Sequence, residues 1–229
     1  ISACLVGSEM CIRDRLLAED RISQENWVDS VFHSLSFEDR LGQLFMVAAY
    51  SNKDQRHVDE ISELVKNENL GGLIFFQGGP NRQARLTNFY QAQAKTPLLI
   101  AMDAEWGIGM RLDSVADFPK AMTLGAIQNP DLIYEMGTEI ARQFKILGMH
   151  INFAPVVDVN SNPDNPVIGF RAFGENKEMV TKRAVAYMKG LQDNGIMANA
   201  KHFPGHGDTE DDSHSTLPCL LYTSDAADE

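Results

Sequence analysis

From about residue 25 onward, short apolar runs alternate with stretches in which apolar residues return every third or fourth position. The runs are "QLFMVAAY" (residues 43–50), "GGLIFF" (71–76), "PLLIAMD" (97–103), "HINFAPVVDV" (150–159) and "IMANAKHF" (196–203). Each is read as a strand, and the apolar runs among them as buried ones. The intervening stretches predict helices. "ENWVDSVFHSLSFEDRLG" has Ser36 at an N-cap position, with Glu38 and Asp39 in the first turn behind it. Helices are also expected over 57–66 and 82–93. Another starts at Asn129-Pro130, with Leu132, Met136, Ile140 and Phe144 as its apolar face. The last carries Val180, Ala184, Met188 and Leu191 and stops at Asn194-Gly195.

Buried strands alternating with amphipathic helices mean parallel βα units. Polar residues fall repeatedly where a run ends: Asp103 and Glu105, Asp158 and Asn160, Lys201 and His202. Parallel strands all end on one side, so these groups converge there, as active-site residues do in a (β/α)₈ barrel. An open doubly wound sheet would gather them similarly. No G-x-G-x-x-G turn follows any of these runs, however, which weakens a dinucleotide-binding reading. The expected fold class is α/β, a (β/α)₈ TIM-type barrel with about five βα units present and therefore incomplete. His150 begins its run, so it lies at the opposite end and is expected to be structural.

Composition narrows the partners. The 229 residues are 44% hydrophobic and 23% charged, which suits one globular domain, and no run is long enough to span a bilayer. A formal net charge of −12 argues against nucleic acid, whose backbone needs basic clusters, and makes a neutral or weakly charged ligand the more natural partner. Cys4, Cys11 and Cys219 all sit near the ends. Residues 1–15 and 219–229 resemble translated sequencing-adapter read-through and are expected to be non-native, leaving 16–218 as the domain. No redox compartment can be read from cysteines in such segments.

"KHFPGHGDTEDDSH" (201–214) holds three histidines and four acidic residues on a segment broken by Pro204, Gly205 and Gly207. A metal site is one reading, since His202 and His206 are four apart with Asp208, Asp212 and His214 nearby. Histidines four apart share a face only on a helix, and Pro204-Gly205 prevents one. An acid/base site is the second reading. Asp212 lies two residues from His214, close enough on a turn to accept a ring N–H, and imidazole exchanges protons near neutrality. The third is a polar turn in which Asp212 merely caps the backbone.

The stretch resembles the signature of glycoside hydrolase family 3 in its β-N-acetylglucosaminidase (β-N-acetylhexosaminidase) branch. The resemblance extends through "LSFEDRLGQLFMV", "GGLIFF", "AMDAEWGIGMRLD" and "NFAPVVDVNSNPDNPVIGFRAFG", in the family's order, over roughly residues 25 to 218. It implies that Asp212 and His214 form the catalytic acid/base dyad. It further implies that Asp103, Arg111, Arg171, Lys201 and His202 bind the sugar, that no organic cofactor or metal takes part, and that the enzyme removes terminal N-acetylglucosamine with retention in cell-wall glycan turnover. The family's nucleophile is an aspartate on a later strand. No residue here is assigned to that role, so the chain is expected to be the N-terminal part of a catalytic domain and inactive alone. Trp106 departs from the family, which more often has glycine there; it could stack on a sugar or narrow the pocket. A β-glucosidase, a phosphorylase and a non-catalytic glycan-binding module are the alternatives. Family members occur both in the cytoplasm and, with signal peptides or lipid anchors, outside it, so localisation stays open.

Overall fold

The computed structural model describes residues 22–217; the two end segments expected to be non-native lie outside that range. A helix covers residues 22–34 (α1). It is followed by α2 (Phe37–Gly42), β1 (Met46–Ala49), α3 (Gln55–Asn67), β2 (Gly72–Phe75), α4 (Pro80–Gln91) and β3 (Leu99–Met102). The short α5 (Ala121–Gly125), α6 (Asp131–Ile146), β4 (Ile151–Asn152), α7 (Lys177–Gln192) and β5 (Met197–Ala198) complete it. Among the described residues no helix is long and apolar enough to cross a membrane.

The five strands form one parallel sheet in the order β1-β2-β3-β4-β5. A doubly wound sheet reverses its strand order at a switch point. Here each strand adds beside the one before it, which is the winding of a barrel. The architecture is therefore a partial (β/α)₈ barrel. The central strands are buried on both faces, with Leu73, Ile100, Ala101 and Met102 fully inaccessible. That is why their sequences read as unbroken apolar runs.

The local signals act as chemistry requires. Ser36 Oγ accepts from Asp39 N and the Asp39 carboxylate accepts from Ser36 N, a reciprocal cap. Asn129 Oδ1 accepts from Asp131 N at the start of α6. The expected apolar face of α6 needs correction at one end: Leu132 is 52% exposed, and Ile133 takes its place in the core. Four-residue steps overshoot a 3.6-residue turn, so a strict i, i+4 row drifts around the helix. The buried stripe is Ile133, Met136, Ile140 and Phe144. Truncating Ile140 to alanine would cost about 2–5 kcal/mol.

The last two runs form shorter strands than expected. Pro155 has no N–H to donate, and the ladder stops after Asn152. Pairing resumes beyond it as a bridge between Val156 and Lys201, where Val157 N donates to the Lys201 carbonyl and Lys201 N to that of Pro155. This bridge brings Lys201 beside the end of the fourth run. His150 lies at the far end, as expected, accepting the Ile100 N–H on Nδ1 at 3.0 Å; burial pushes its pKa down.

Candidate active site

The site is built outward from the end of β3. Asp103 and Glu105 flank Ala104, whose backbone is fixed on both sides by one buried side chain. Asn152 Oδ1 accepts from Ala104 N at 3.1 Å, and Asn152 Nδ2 donates to the Ala104 carbonyl at 3.2 Å. The Tyr187 hydroxyl of α7 donates to the same carbonyl at 3.1 Å. Burial raises the Tyr187 pKa, so the phenol remains a donor.

Above this support lies an interlocked set of charges. Arg171 grips Glu105 with two bonds, Nε to Oε2 at 3.0 Å and Nη2 to Oε1 at 2.8 Å. Lys201 Nζ lies 2.9 Å from both Asp103 Oδ1 and Glu105 Oε1. Arg111 reaches the Asp103 carbonyl through Nε at 3.0 Å and its carboxylate through Nη2 at 3.4 Å. Burial opposes charge on Glu105, but the Arg171 fork and then Lys201 outweigh it and hold the carboxyl below its ordinary value. In return, Glu105 raises the pKa of Arg171 against the effect of burial.

Lys201 leads into His202, whose orientation is set by a second buried carboxylate. Asp158, whose side chain is fully inaccessible, accepts from His202 Nδ1 at 2.6 Å and from His202 N at 3.1 Å on Oδ2. Its other oxygen accepts from His206 N at 2.6 Å. Asp158 thus ties down the 202–206 turn. Asn160 makes no comparable contact: its Oδ1 is buried without a hydrogen-bond partner.

Asp212 and His214 come together as the spacing predicts. Asp212 Oδ1 accepts from His214 Nδ1 at 2.7 Å and from His214 N at 2.9 Å. The dyad and the backbone cap, alternatives in sequence, are one arrangement in space. These two bonds to His214, the backbone one foremost, lower the Asp212 pKa. With Nδ1–H directed at Asp212, Nε2 is the nitrogen left for exchange. His214 lines the same cleft as Asp103, Arg111, Arg171, Lys201 and His202, a cavity of about 550 Å³. All five expected sugar-binding residues and the histidine of the expected dyad therefore share one space, and Asp212 stands behind that histidine. Trp106 also lines it, edge-on to Phe170 with ring centroids 6.4 Å apart.

Residues 36–226 match the Glycosyl hydrolase family 3 N terminal domain. The chain belongs to glycosyl hydrolase family 3. It is 39% identical over 179 residues to "Beta-hexosaminidase A" of Pseudoalteromonas piscicida, covering 72% of this chain and 30% of that protein. It is 36% identical over 190 residues to "Beta-hexosaminidase LpqI" of Mycobacterium tuberculosis, covering 79% and 46%. The chain spans less than half the length of these curated relatives. Among solved structures it superposes on a family 3 β-N-acetylglucosaminidase from Paenibacillus sp. str. FPU-7 with a TM-score of 0.73 and 38% identity, over 80% of this chain and 36% of that one. It also superposes on the β-glucoside phosphorylase BglX bound to 2FGlc, with a TM-score of 0.78 and 27% identity, over 84% and 34%.

Three contributors to this family 3 site were given no part in it from the sequence. Glu105 was only one of the strand-end polar residues, yet its side chain is 6% exposed and paired with two cations. Its distance of two residues from Asp103 at a strand end was the available signal. Asn152 left no signal and His206 none for this role, because Asn152 meets Ala104 and His206 meets Asp158 across 48 residues of sequence each, and His206 meets Asn165 across 41. Among the described residues, no group of three or more His, Cys, Asp or Glu side chains is arranged to hold a metal ion. The His202 ring engages Asp158, and the His206 ring meets Thr209 and Ser213.

Proposed function

We propose that the cleft binds a terminal β-linked N-acetylglucosamine residue, and that a protein carrying this domain releases it by a retaining mechanism. Asp212 and His214 act as the acid/base pair. The observation that carries the proposal is the placement of His214 on the same cleft as a paired set of two carboxylates and three cations. With the buried Asp158 carboxylate beside them the three cations are matched, and the set presents donors and acceptors without a strong net field, which suits a neutral polyhydroxylated ligand. A volume of about 550 Å³ accommodates a molecule of sugar size.

In the proposed reaction, protonated His214 gives its Nε2 proton to the glycosidic oxygen as the bond from that oxygen to the anomeric carbon breaks. A carboxylate forms the glycosyl intermediate on the opposite face. That carboxylate is the aspartate that family resemblance places on a later strand. Neutral His214 then removes a proton from the attacking water, which restores the imidazolium. Asp212 holds the Nδ1–H throughout and faces the positive charge while the ring carries it. Asp103, Arg111, Arg171, Lys201 and His202 orient the ring hydroxyls. Release of terminal sugar from cell-wall fragments is the corresponding physiological role.

The test is the ratio of nitrophenyl N-acetylglucosaminide to nitrophenyl glucoside turnover by the longer protein that contains this domain and the nucleophile strand. A large ratio is expected, and preferential glucoside cleavage would overturn the assignment. A second reading has one observation in its favour, the superposition on a phosphorylase. An imidazole repels incoming phosphate less than a carboxylate would. Sugar 1-phosphate as the main product in phosphate buffer would select that reading, and binding without turnover would select a glycan-binding module.

A further inference from the structure

We infer that His206 is a positioning residue, a buried imidazole that holds the dyad-bearing segment at the cleft through the hydroxyl of Ser213. Its significance for catalysis rests on the proposed acid/base role of Asp212 and His214.

Residues 210–217 have little else to hold them. Ser213 through Leu217 are exposed, and Ser215 N and Thr216 N donate inward to the Asp212 carbonyl of their own turn. Among the described residues, the segment meets preceding ones by two side-chain hydrogen bonds. His206 Nε2 lies 3.1 Å from Ser213 Oγ, and Thr209 Oγ1 reaches the Asp211 carbonyl at a long 3.5 Å. Ser213 stands between the two members of the dyad, so the His206 contact acts on both.

His206 itself is fixed on every other side. Its N–H donates to Asp158 Oδ1 at 2.6 Å, and its carbonyl accepts from Asn165 Nδ2 at 2.7 Å. Thr209 Oγ1 lies 2.5 Å from Nδ1 and accepts from Asn165 Nδ2 at 3.2 Å. The Thr209 hydroxyl, itself bonded by Asn165, pairs with Nδ1, so Nε2 is the ring nitrogen that meets Ser213. Because Asp158 also orients His202, one buried carboxylate sets both a sugar-binding ring and the strut under the acid/base loop.

The experiment has two arms on the full-length protein. In amide hydrogen exchange, Ser213→Ala should speed exchange across 210–217 by roughly tenfold, the effect of one neutral hydrogen bond, while the strands stay protected. Unchanged exchange there would overturn the inference, whatever the catalytic role of His214. In kinetics, Ser213→Ala and His206→Asn should each lower kcat on a natural disaccharide by roughly tenfold with KM unchanged, and the double variant should lose no more than either alone. His206→Gln, which keeps a donor near the Nε2 position, should restore most of the loss. Additive losses or no rescue by glutamine would overturn the strut. Failure of the acid/base reading shows separately, as equal losses on disaccharide and nitrophenyl substrates in His214→Ala.

Discussion

Glu105 and Asp212 are both carboxylates bonded to a basic side chain at the same cleft, but they are held in opposite ways. Glu105 is 6% exposed and gripped by Arg171 and Lys201, which come from distant parts of the chain. Asp212 is 45% exposed and bonded within its own turn to a histidine that is 82% exposed. The floor of the cleft belongs to the folded core, so its charges are oriented before any ligand arrives and need little reorganisation. The dyad sits on a tether outside that core. The proposed acid/base role is compatible with such a location, because the water from which His214 would take its proton back enters from solvent.

The largest expected effect tests the tethered side. His214→Ala in the active full-length protein should lower kcat/KM on a natural disaccharide by about 10²–10⁴-fold, the usual contribution of general acid–base catalysis. Nitrophenyl glycosides, whose leaving group barely needs a proton, should lose far less. Thermal midpoints should stay within about 2 °C, as for an ordinary surface substitution. A large fall in the midpoint would erase the contrast between tether and core. Glu105→Gln tests the other side. Removing one partner of a buried charge set costs about 3–5 kcal/mol, so unfolding by denaturant should show a loss of that order.

The same group predicts a pH dependence with a definite sign. The folded state holds the Glu105 carboxyl below its ordinary value of 4.5, so the unfolded chain binds that proton more readily. The stabilisation is complete above about pH 4.5 and is lost as pH falls through the lower folded value. Wild type should therefore lose stability below that pH more steeply than Glu105→Gln. Parallel curves for the two would assign the acid sensitivity to other carboxylates. Asp103→Ala is the smallest of the three. The charge-assisted hydrogen bonds to sugar proposed for it, about 1.5–3 kcal/mol each, predict a loss in kcat/KM of roughly tenfold to a hundredfold. Unchanged kinetics would mean that Asp103 only balances Lys201 and Arg111.

The contrast also explains what could be read from sequence. Asp103, Lys201 and His202 were legible because each ends a run that is buried for its own reasons, and burial leaves its mark in composition. The Asp212–His214 contact was legible because both partners lie on one turn. Arg111 and Arg171 had no such marks and came from family resemblance, since which surface arginine turns inward depends on where Asp103 and Glu105 arrive. Strand ends beyond Asn152 were misjudged because apolar patterning does not register the missing donor of Pro155. Asn152 meets Ala104, and Asp158 meets His202 and His206, across 44 or more residues, and such pairings leave no periodic trace.

The crossing of α6 and α7 reaches further than its distance from the cleft suggests. Gly137 and Gly190 face each other there: a methyl group on Gly190 would fall 2.3 Å from the Tyr134 carbonyl and 2.9 Å from Gly137 Cα. The helices therefore meet backbone to backbone, and neither can gain a side chain at that point without being levered outward. Tyr187 lies one turn before Gly190 on α7, and its hydroxyl ends on the Ala104 carbonyl between Asp103 and Glu105. The bare crossing serves as a gauge that sets how deep the phenol reaches. A single added carbon on the outer wall would be transmitted along one rigid ring to the spacing of two carboxylates that it never touches.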